Sequence, residues 1–359
     1  MMGEIRLMKG NEAIAEAAIR AGCDAYFGYP ITPQSEVLEY LMAEKPHERT
    51  GMVVLQAESE VAAINMVYGA ACTGKKVMTS SSSPGISLMQ EGISYIAGAE
   101  LPCLIVNVVR GGPGLGTIQP SQADYFQATK GGGHGDYRLI VLAPASVQEM
   151  ADFVKLAFDL AFKYRNPAMI LSDGVIGQMM EKIELFEPVP RTNEFDQSWV
   201  TTGKTSDRQR NIITSLNLDP YLQEKHNHHL QEKYARMRRE DVRYEAIACE
   251  DADYLFVAYG SSARICQKAV QLARKKGIKA GLLRPITLFP FPEKIIADLA
   301  HSVKGMLAVE MSAGQMVEDV RLAVNGKIPV EHYGRFGGAV HSPEEVLEAL
   351  EEKIVKPAV

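Results

Sequence analysis

Short apolar runs alternate with stretches of helical spacing through the first half of the chain, the pattern that builds a parallel sheet covered on both faces. Asn11 to Ala21 has the apolar spacing of a helix and stops at Gly22, a natural C′ glycine. Ala25 to Tyr29 reads as the first strand. Pro33 to Ala43 reads as an amphipathic helix, with Thr32 at its N-cap and Pro33 at its first position. Met52 to Gln56 follows as a strand and Ser59 to Thr73 as a helix closed by Gly74, with Glu58 in the turn between them. Lys76 to Ser80 is a strand, Ser81 to Gly85 a turn, and Ile86 to Ala99 a helix. Leu101 to Val109 is almost continuously apolar, as expected at the centre of a parallel sheet.

Thr117 to Asp136 is predicted as a long functional loop, with Gly131-Gly-Gly-His-Gly135 giving its backbone freedom. Arg138 to Ala143 is a strand, Ser146 to Tyr164 a helix, and Ala168 to Ser172 the last strand of this unit. Glu187 to Pro190 then marks a boundary. The expected division is 1–190, a charged linker or arm over 191–250, and a smaller α/β unit over 251–359. The arm is expected to hold a helix from Pro220 to Ala248 and to pack on a neighbour. The last unit should carry strands at Tyr254 to Tyr259, Lys279 to Leu283, Gly305 to Glu310 and Pro329 to Tyr333, with Gly260-Ser261-Ser262 turning into a helix.

Composition narrows the class. A net charge of −6 excludes a dominant nucleic-acid face, and no basic block alternates with aromatics. Apolar runs stop short of the roughly 20 residues that span a bilayer, and Met1 to Gly10 lacks a signal-peptide core. A cytoplasmic protein with no membrane or nucleic-acid partner is expected. The cysteines, Cys23, Cys72, Cys103, Cys249 and Cys266, are scattered without a C-x-x-C pair, which suits reduced, buried thiols and leaves any iron–sulfur cluster to a partner. Gly111 to Gly116 lacks dinucleotide-fingerprint spacing, and Ser83-Pro-Gly85 lacks the first glycine of a nucleophile elbow. His226, His228 and His229 fall on a charged helix, where a solvated face is the simpler reading, and no metal site is assigned.

Three predicted strand ends offer Thr32, Glu58 and Arg110 at the sheet edge where α/β proteins bind ligands. The Thr32 junction would present backbone N–H groups to a crevice in which an anion can dock. Each residue also has a plain structural role open to it: a cap for Thr32, a first-turn carboxylate facing the helix dipole for Glu58, and a strand-end ion pair for Arg110.

Gly28-Tyr-Pro-Ile-Thr-Pro-Gln-Ser-Glu36, Gln56-Ala-Glu-Ser-Glu60, Ser81-Ser-Ser-Pro-Gly85, Asn107-Val-Val-Arg-Gly-Gly-Pro-Gly114 and Arg284-Pro-Ile-Thr-Leu-Phe-Pro290 resemble the α subunit of 2-oxoacid:ferredoxin oxidoreductases over nearly the whole chain. Gln119-Pro-Ser-Gln-Ala-Asp124 and Gly131 to Gly135 are most similar to the branched-chain (3-methyl-2-oxobutanoate) branch, with the 2-oxoglutarate and pyruvate enzymes as alternatives. The resemblance implies an α/β fold: a thiamine diphosphate-binding-type parallel-sheet domain that holds the pyrimidine ring, followed by a transketolase C-terminal-like domain. It implies Glu58 as the acid–base partner of the pyrimidine, Thr32 and Arg110 at the substrate carboxylate, and cofactor contacts from Pro30 and Ser83. A β subunit would bind the diphosphate and Mg2+, because Ser172-Asp-Gly174 departs from the family's Gly-Asp-Gly motif. Ferredoxin-like γ or δ subunits would carry [4Fe–4S] clusters, with CoA and ferredoxin as co-substrates. The pyrimidine-binding subunit of a lipoate-linked dehydrogenase or split transketolase shares the domain order, and a non-catalytic scaffold is the remaining alternative.

Overall fold

The computed structural model describes residues 4–191 and 195–356. Residues 1–3, 192–194 and 357–359 lie outside the described residues, among them the start of the Met1 to Gly10 stretch and part of the charged arm. In chain order the first unit runs β1 (Glu4–Lys9), α1 (Gly10–Arg20), β2 (Ala25–Gly28), α2 (Ser35–Glu44), α3 (Pro46–Thr50), β3 (Val53–Gln56), α4 (Glu60–Ala71), β4 (Val77–Ser81), α5 (Ser83–Gly98) and β5 (Leu104–Val109). It continues with β6 (Ile140–Leu142), α6 (Val147–Tyr164), β7 (Ala168–Asp173), α7 (Gly174–Gln178) and β8 (Met180–Leu185). Gly22 and Gly74 close α1 and α4 with φ of +73° and +74°, a backbone that glycine adopts without penalty.

Seven strands form one sheet in the order β12-β6-β7-β5-β4-β2-β3. β5 is fourth of the seven and wholly buried, as its unbroken apolar run requires. α1 packs against α2 and α6, and α4 against α5, giving two helical layers. Between β2 and β4 the order reverses: β2 is followed outward by β3, whereas the chain then returns to β4 on the other side. That reversal is the switch point at which an open α/β sheet forms its ligand crevice.

The rest comprises α8 (Pro220–Glu240), β9 (Tyr244–Ile247), β10 (Tyr254–Val257), α9 (Gly260–Lys275), β11 (Ala280–Pro285), β12 (Thr287–Phe289), α10 (Glu293–Leu299), β13 (Gly305–Glu310), α11 (Met316–Val324), β14 (Val330–Gly334) and α12 (Pro343–Leu350). A second sheet has the order β14-β13-β10-β11-β9, parallel apart from β9.

Several elements differ from the sequence reading. The helix expected over Pro220 to Ala248 ends at Glu240, and the remainder becomes β9, an antiparallel edge strand of the second sheet. The turn expected over Ser81 to Gly85 divides between the end of β4 and the first turn of α5, in which Pro84 is accommodated without an N–H. β1 and β8 form a separate antiparallel ribbon. In β8 the buried Ile183 and Leu185 alternate with charged residues, a two-residue period too short to stand out. β12 leaves the second unit and pairs antiparallel with β6, so the first sheet is completed from the second unit. One hydrophobic core runs through both, with the Tyr125 and Tyr259 rings 5.9 Å apart.

Candidate functional site

The crevice at the switch point is built on a buried polar relay. Tyr26 on β2 shares a 2.8 Å hydrogen bond with Ser80 on β4, and the Ser80 hydroxyl donates to Gln34 Oε1 at 2.6 Å. Gln34 Nε2 in turn donates to the Tyr29 carbonyl at 3.1 Å. Pro33 O accepts from Asn11 Nδ2 at 2.7 Å and Gln178 Nε2 at 3.0 Å. These bonds hold residues 29–34 outside any helix. α2 therefore starts at Ser35 with Gln34 before it, and neither the Thr32 N-cap nor Pro33 as first helical residue is found. Without a helix N-terminus at Thr32, the expected anion site there loses its basis. Thr32 and Pro30 are exposed at the crevice mouth, and the Thr32–Pro33 peptide is cis.

The two glutamates of Gln56-Ala-Glu-Ser-Glu60 have opposite surroundings. Glu58 is exposed and accepts a 2.9 Å hydrogen bond from Ser59, which caps α4 by accepting from Ala62 N. Glu60, the first residue of α4, is 6% exposed and makes no hydrogen bond among the described residues. It lies on the buried stripe of the helix with Ala63, Ile64, Val67 and Ala71. Its carboxylate faces the first turn of α5: a Cβ added at Gly85 would stand 2.6 Å from Glu60 Oε1 and closer still to Ser81 Oγ. The buried hydroxyls of Ser81 and Ser82 have no partners either. A buried carboxylate and two buried hydroxyls without protein partners at a switch point are groups that a polar ligand could complete. Sequence reasoning passed over Glu60. The signal was available, since a carboxylate recurs there on an otherwise apolar helical stripe.

Arg110, at the end of β5, is brought to Thr32. Its Nη1 donates to the Thr32 carbonyl at 2.9 Å and its Nη2 to the Leu115 carbonyl at 3.1 Å, while its Nε is buried without a partner. Part of the guanidinium thus organises two loops, and the rest is left to bind. The Ser83 hydroxyl accepts from Arg110 N at 3.1 Å and contacts Arg110 O at 3.2 Å. Ser83 also reaches Asp124, whose carboxylate accepts from Asn107 Nδ2 at 2.9 Å. Burial pushes the Asp124 carboxyl above its usual range against the pull of those two donors. Thr32, Arg110 and Ser83 are therefore one cluster, and Glu58, whose described hydrogen bond is to Ser59, stands outside it.

Asp173 fills other roles. It is buried, caps α7 through Val175 N and Ile176 N, and accepts from Ser261 Oγ at 2.7 Å. That engagement leaves Ser172-Asp-Gly174 without a free carboxylate for a diphosphate-bound cation. The residues at the switch point instead offer an acceptor and hydroxyls, which fit the polar edge of an aminopyrimidine. The expected solvated histidine face is partly engaged: His226 meets Gly98 O at 2.8 Å and His229 meets Glu100 at 3.0 Å. All five cysteines are free thiols, and all but Cys72 are buried. No helix among the described residues is long and apolar enough to cross a membrane.

Residues 16–245 match the family described as pyruvate flavodoxin/ferredoxin oxidoreductase, thiamine diphosphate-binding, and residues 252–346 match pyruvate:ferredoxin oxidoreductase core domain II. The chain is 52% identical to the ketoisovalerate oxidoreductase subunit VorB of Methanothermobacter thermautotrophicus, over 97% of each chain. Its fold superposes with a TM-score of 0.86 on the 2-oxoglutarate:ferredoxin oxidoreductase from Magnetococcus marinus, solved with 2-oxoglutarate, coenzyme A and succinyl-CoA bound. That likeness is 27% in sequence and covers 97% of this chain and 65% of the other. A split-gene transketolase shares the fold alone, with a TM-score of 0.60 and 14% identity over 96% of this chain and 97% of the other. With both family regions matched in order and half of all residues shared with a full-length relative, the chain belongs to the 2-oxoacid:ferredoxin oxidoreductase family.

Proposed function

We propose that this chain is the pyrimidine-holding α subunit of an enzyme that converts 3-methyl-2-oxobutanoate and CoA into the branched acyl-CoA and CO2, passing two electrons to ferredoxin. The carrying observation is the buried, unpaired Glu60 at the switch point of a chain 52% identical to a ketoisovalerate oxidoreductase subunit. Bound thiamine diphosphate supplies the electron sink that decarboxylation of a 2-oxoacid requires. Glu60 takes the acid–base role at the pyrimidine that Glu58 was expected to hold, because it is the carboxylate that lies in the crevice and lacks a donor. Arg110, through its uncommitted N–H groups, and the Thr32 hydroxyl hold the substrate carboxylate. Ser83 supports Arg110 through its backbone, and Pro30 borders the crevice mouth.

The commitment of Asp173 to α7 and Ser261 supports a β subunit as the holder of diphosphate and Mg2+. Exposed Val61 and Met66 on α4 and Leu88 on α5, beside the site, suit coverage by that partner. Ferredoxin-like γ or δ subunits would receive the electrons on [4Fe–4S] clusters. Free thiols fit a reducing cytoplasm. An anaerobic assay of the natively co-purified complex, following viologen reduction with CoA and 3-methyl-2-oxobutanoate, pyruvate or 2-oxoglutarate, tests the reading. Preference for the branched acid is expected. Reduction with none of the acids, in a complex containing thiamine diphosphate and iron, would overturn it.

A further inference from the structure

A second crevice, of about 540 Å3, opens beside Thr32 on the α2 and α7 side of the sheet edge. Pro33, Ile118, Pro120 and Val175 supply its apolar wall, and Val340 closes it from the second unit. Ile118 and Val340 are 57% and 38% exposed, large apolar side chains facing open space. The loops that carry them abut: a Cβ added at Gly111 would stand 3.0 Å from Gly338 N. Among the described lining residues the one charged side chain is Glu36, fixed by Gln178 Nε2 at 2.8 Å and Asn11 Nδ2 at 3.0 Å and ion-paired with Lys9 Nζ at 3.6 Å. No Lys, Arg or His is among the described residues that line the crevice. Arg110, bonded to the Thr32 carbonyl, stands at its rim.

We infer that this crevice receives the side chain of the 2-oxoacid and selects an uncharged, branched aliphatic group over one that ends in a second carboxylate. The inference rests on the reading of Thr32 and Arg110 as the clamp for the first carboxylate. Beside that clamp, the apolar surface open to a short aliphatic branch is that of Pro33, Ile118, Pro120, Val175 and Val340. A distal carboxylate would meet no Lys, Arg or His among the described lining residues, and it would lie against apolar side chains beside a Glu36 carboxylate already paired with Lys9. Discrimination between aliphatic side chains differing by one methylene is weaker, about 10–200-fold. The crevice therefore sorts acids by charge first and by size second.

The test uses the assembled complex with Ile118→Arg, Val340→Arg and Ile118→Ala, measuring kcat/KM for 3-methyl-2-oxobutanoate, pyruvate and 2-oxoglutarate by anaerobic viologen reduction. Ile118→Arg should lower the preference for the branched acid over 2-oxoglutarate by about tenfold or more, chiefly through KM, with pyruvate changing least. Val340→Arg should act in the same direction. Ile118→Ala, which adds no charge, should alter the ranking of aliphatic acids while 2-oxoglutarate stays poor. Parallel changes for all three acids, or a change confined to the KM for CoA, would overturn the inference while leaving the proposed reaction intact. Wild-type inactivity with every acid would instead remove the functional reading, and this inference with it.

Discussion

Two glutamates stand at comparable places in the two sheets and meet opposite fates. Glu310 ends β13, is 0% exposed, and accepts from the Ser312 hydroxyl at 2.7 Å and from the backbone N–H groups of Gln315, Met316 and Val317 at 3.0–3.1 Å. Glu60 follows β3, is nearly as buried, and accepts from no described residue. The neighbours repeat the contrast. Ser261 and Ser262 at the second edge are engaged with Asp173 and Gln122, whereas Ser81 and Ser82 at the first are unpaired. Shared architecture thus does not make a site. At the second edge Glu310, Ser261 and Ser262 are satisfied and the two serines help dock the two units together, while at the first Glu60, Ser81 and Ser82 keep their hydrogen-bonding capacity open.

The contrast is broken most directly at Glu60. Glu60→Gln in the assembled complex should reduce kcat by about 10²–10⁴-fold, the usual range for loss of an acid–base group, while Glu58→Gln stays within about twofold. Equal losses for the two variants would return Glu58 to the mechanism. Stability should show the reverse order. Glu310→Ala strands several buried donors and is expected to cost on the order of 3–5 kcal/mol in denaturant unfolding. Glu60→Gln, which loses no described bond, should stay within about 0.5 kcal/mol of wild type.

The second unit has its own exception in His341, buried with neither ring nitrogen partnered, its imidazole pushed by burial down to about 4. The unfolded chain takes up this proton near pH 6.5, the folded chain only near pH 4, so stability must fall as pH drops through that window. The loss is on the order of 3 kcal/mol, and His341→Leu should flatten this limb of the pH–stability curve. An unchanged acid limb would show that His341 becomes charged without penalty. A smaller loss of activity than that of Glu60→Gln is expected from Gly85→Ala. Its added carbon would press on Glu60 and Ser81, lowering activity by about tenfold at a stability cost of about 1–3 kcal/mol. Full activity would mean that the cradle tolerates displacement.

The parts of this arrangement that were legible in the sequence share one property: their signal is local. The run ending at Val109 marks a central strand by itself, and Gly22 and Gly74 announce helix ends. Thr32 and Arg110 could be placed at strand ends, and the structure brings them together with Ser83, which only the family resemblance had named. What escaped depends on pairing across distance or on register. The Thr32 cap failed because Asn11 and Gln178, remote in sequence, hold the Pro33 carbonyl. Glu58 and Glu60 are chemically identical and two residues apart, and only the helical phase beginning at Ser59 turns one outward and the other in. β12 carries no sign of its destination, because three residues have no period to read.

That strand also governs how the polypeptide can be divided. The two family regions part between residues 245 and 252, yet Thr287–Phe289, beyond that point, completes the sheet before it. A fragment ending at the seam would therefore be one strand short, with the outer backbone of Ile140–Leu142 open to any passing strand. The natural point of scission in sequence is thus a poor one in space, and recombining such halves from different relatives would require the donor's β12 to match the recipient's β6.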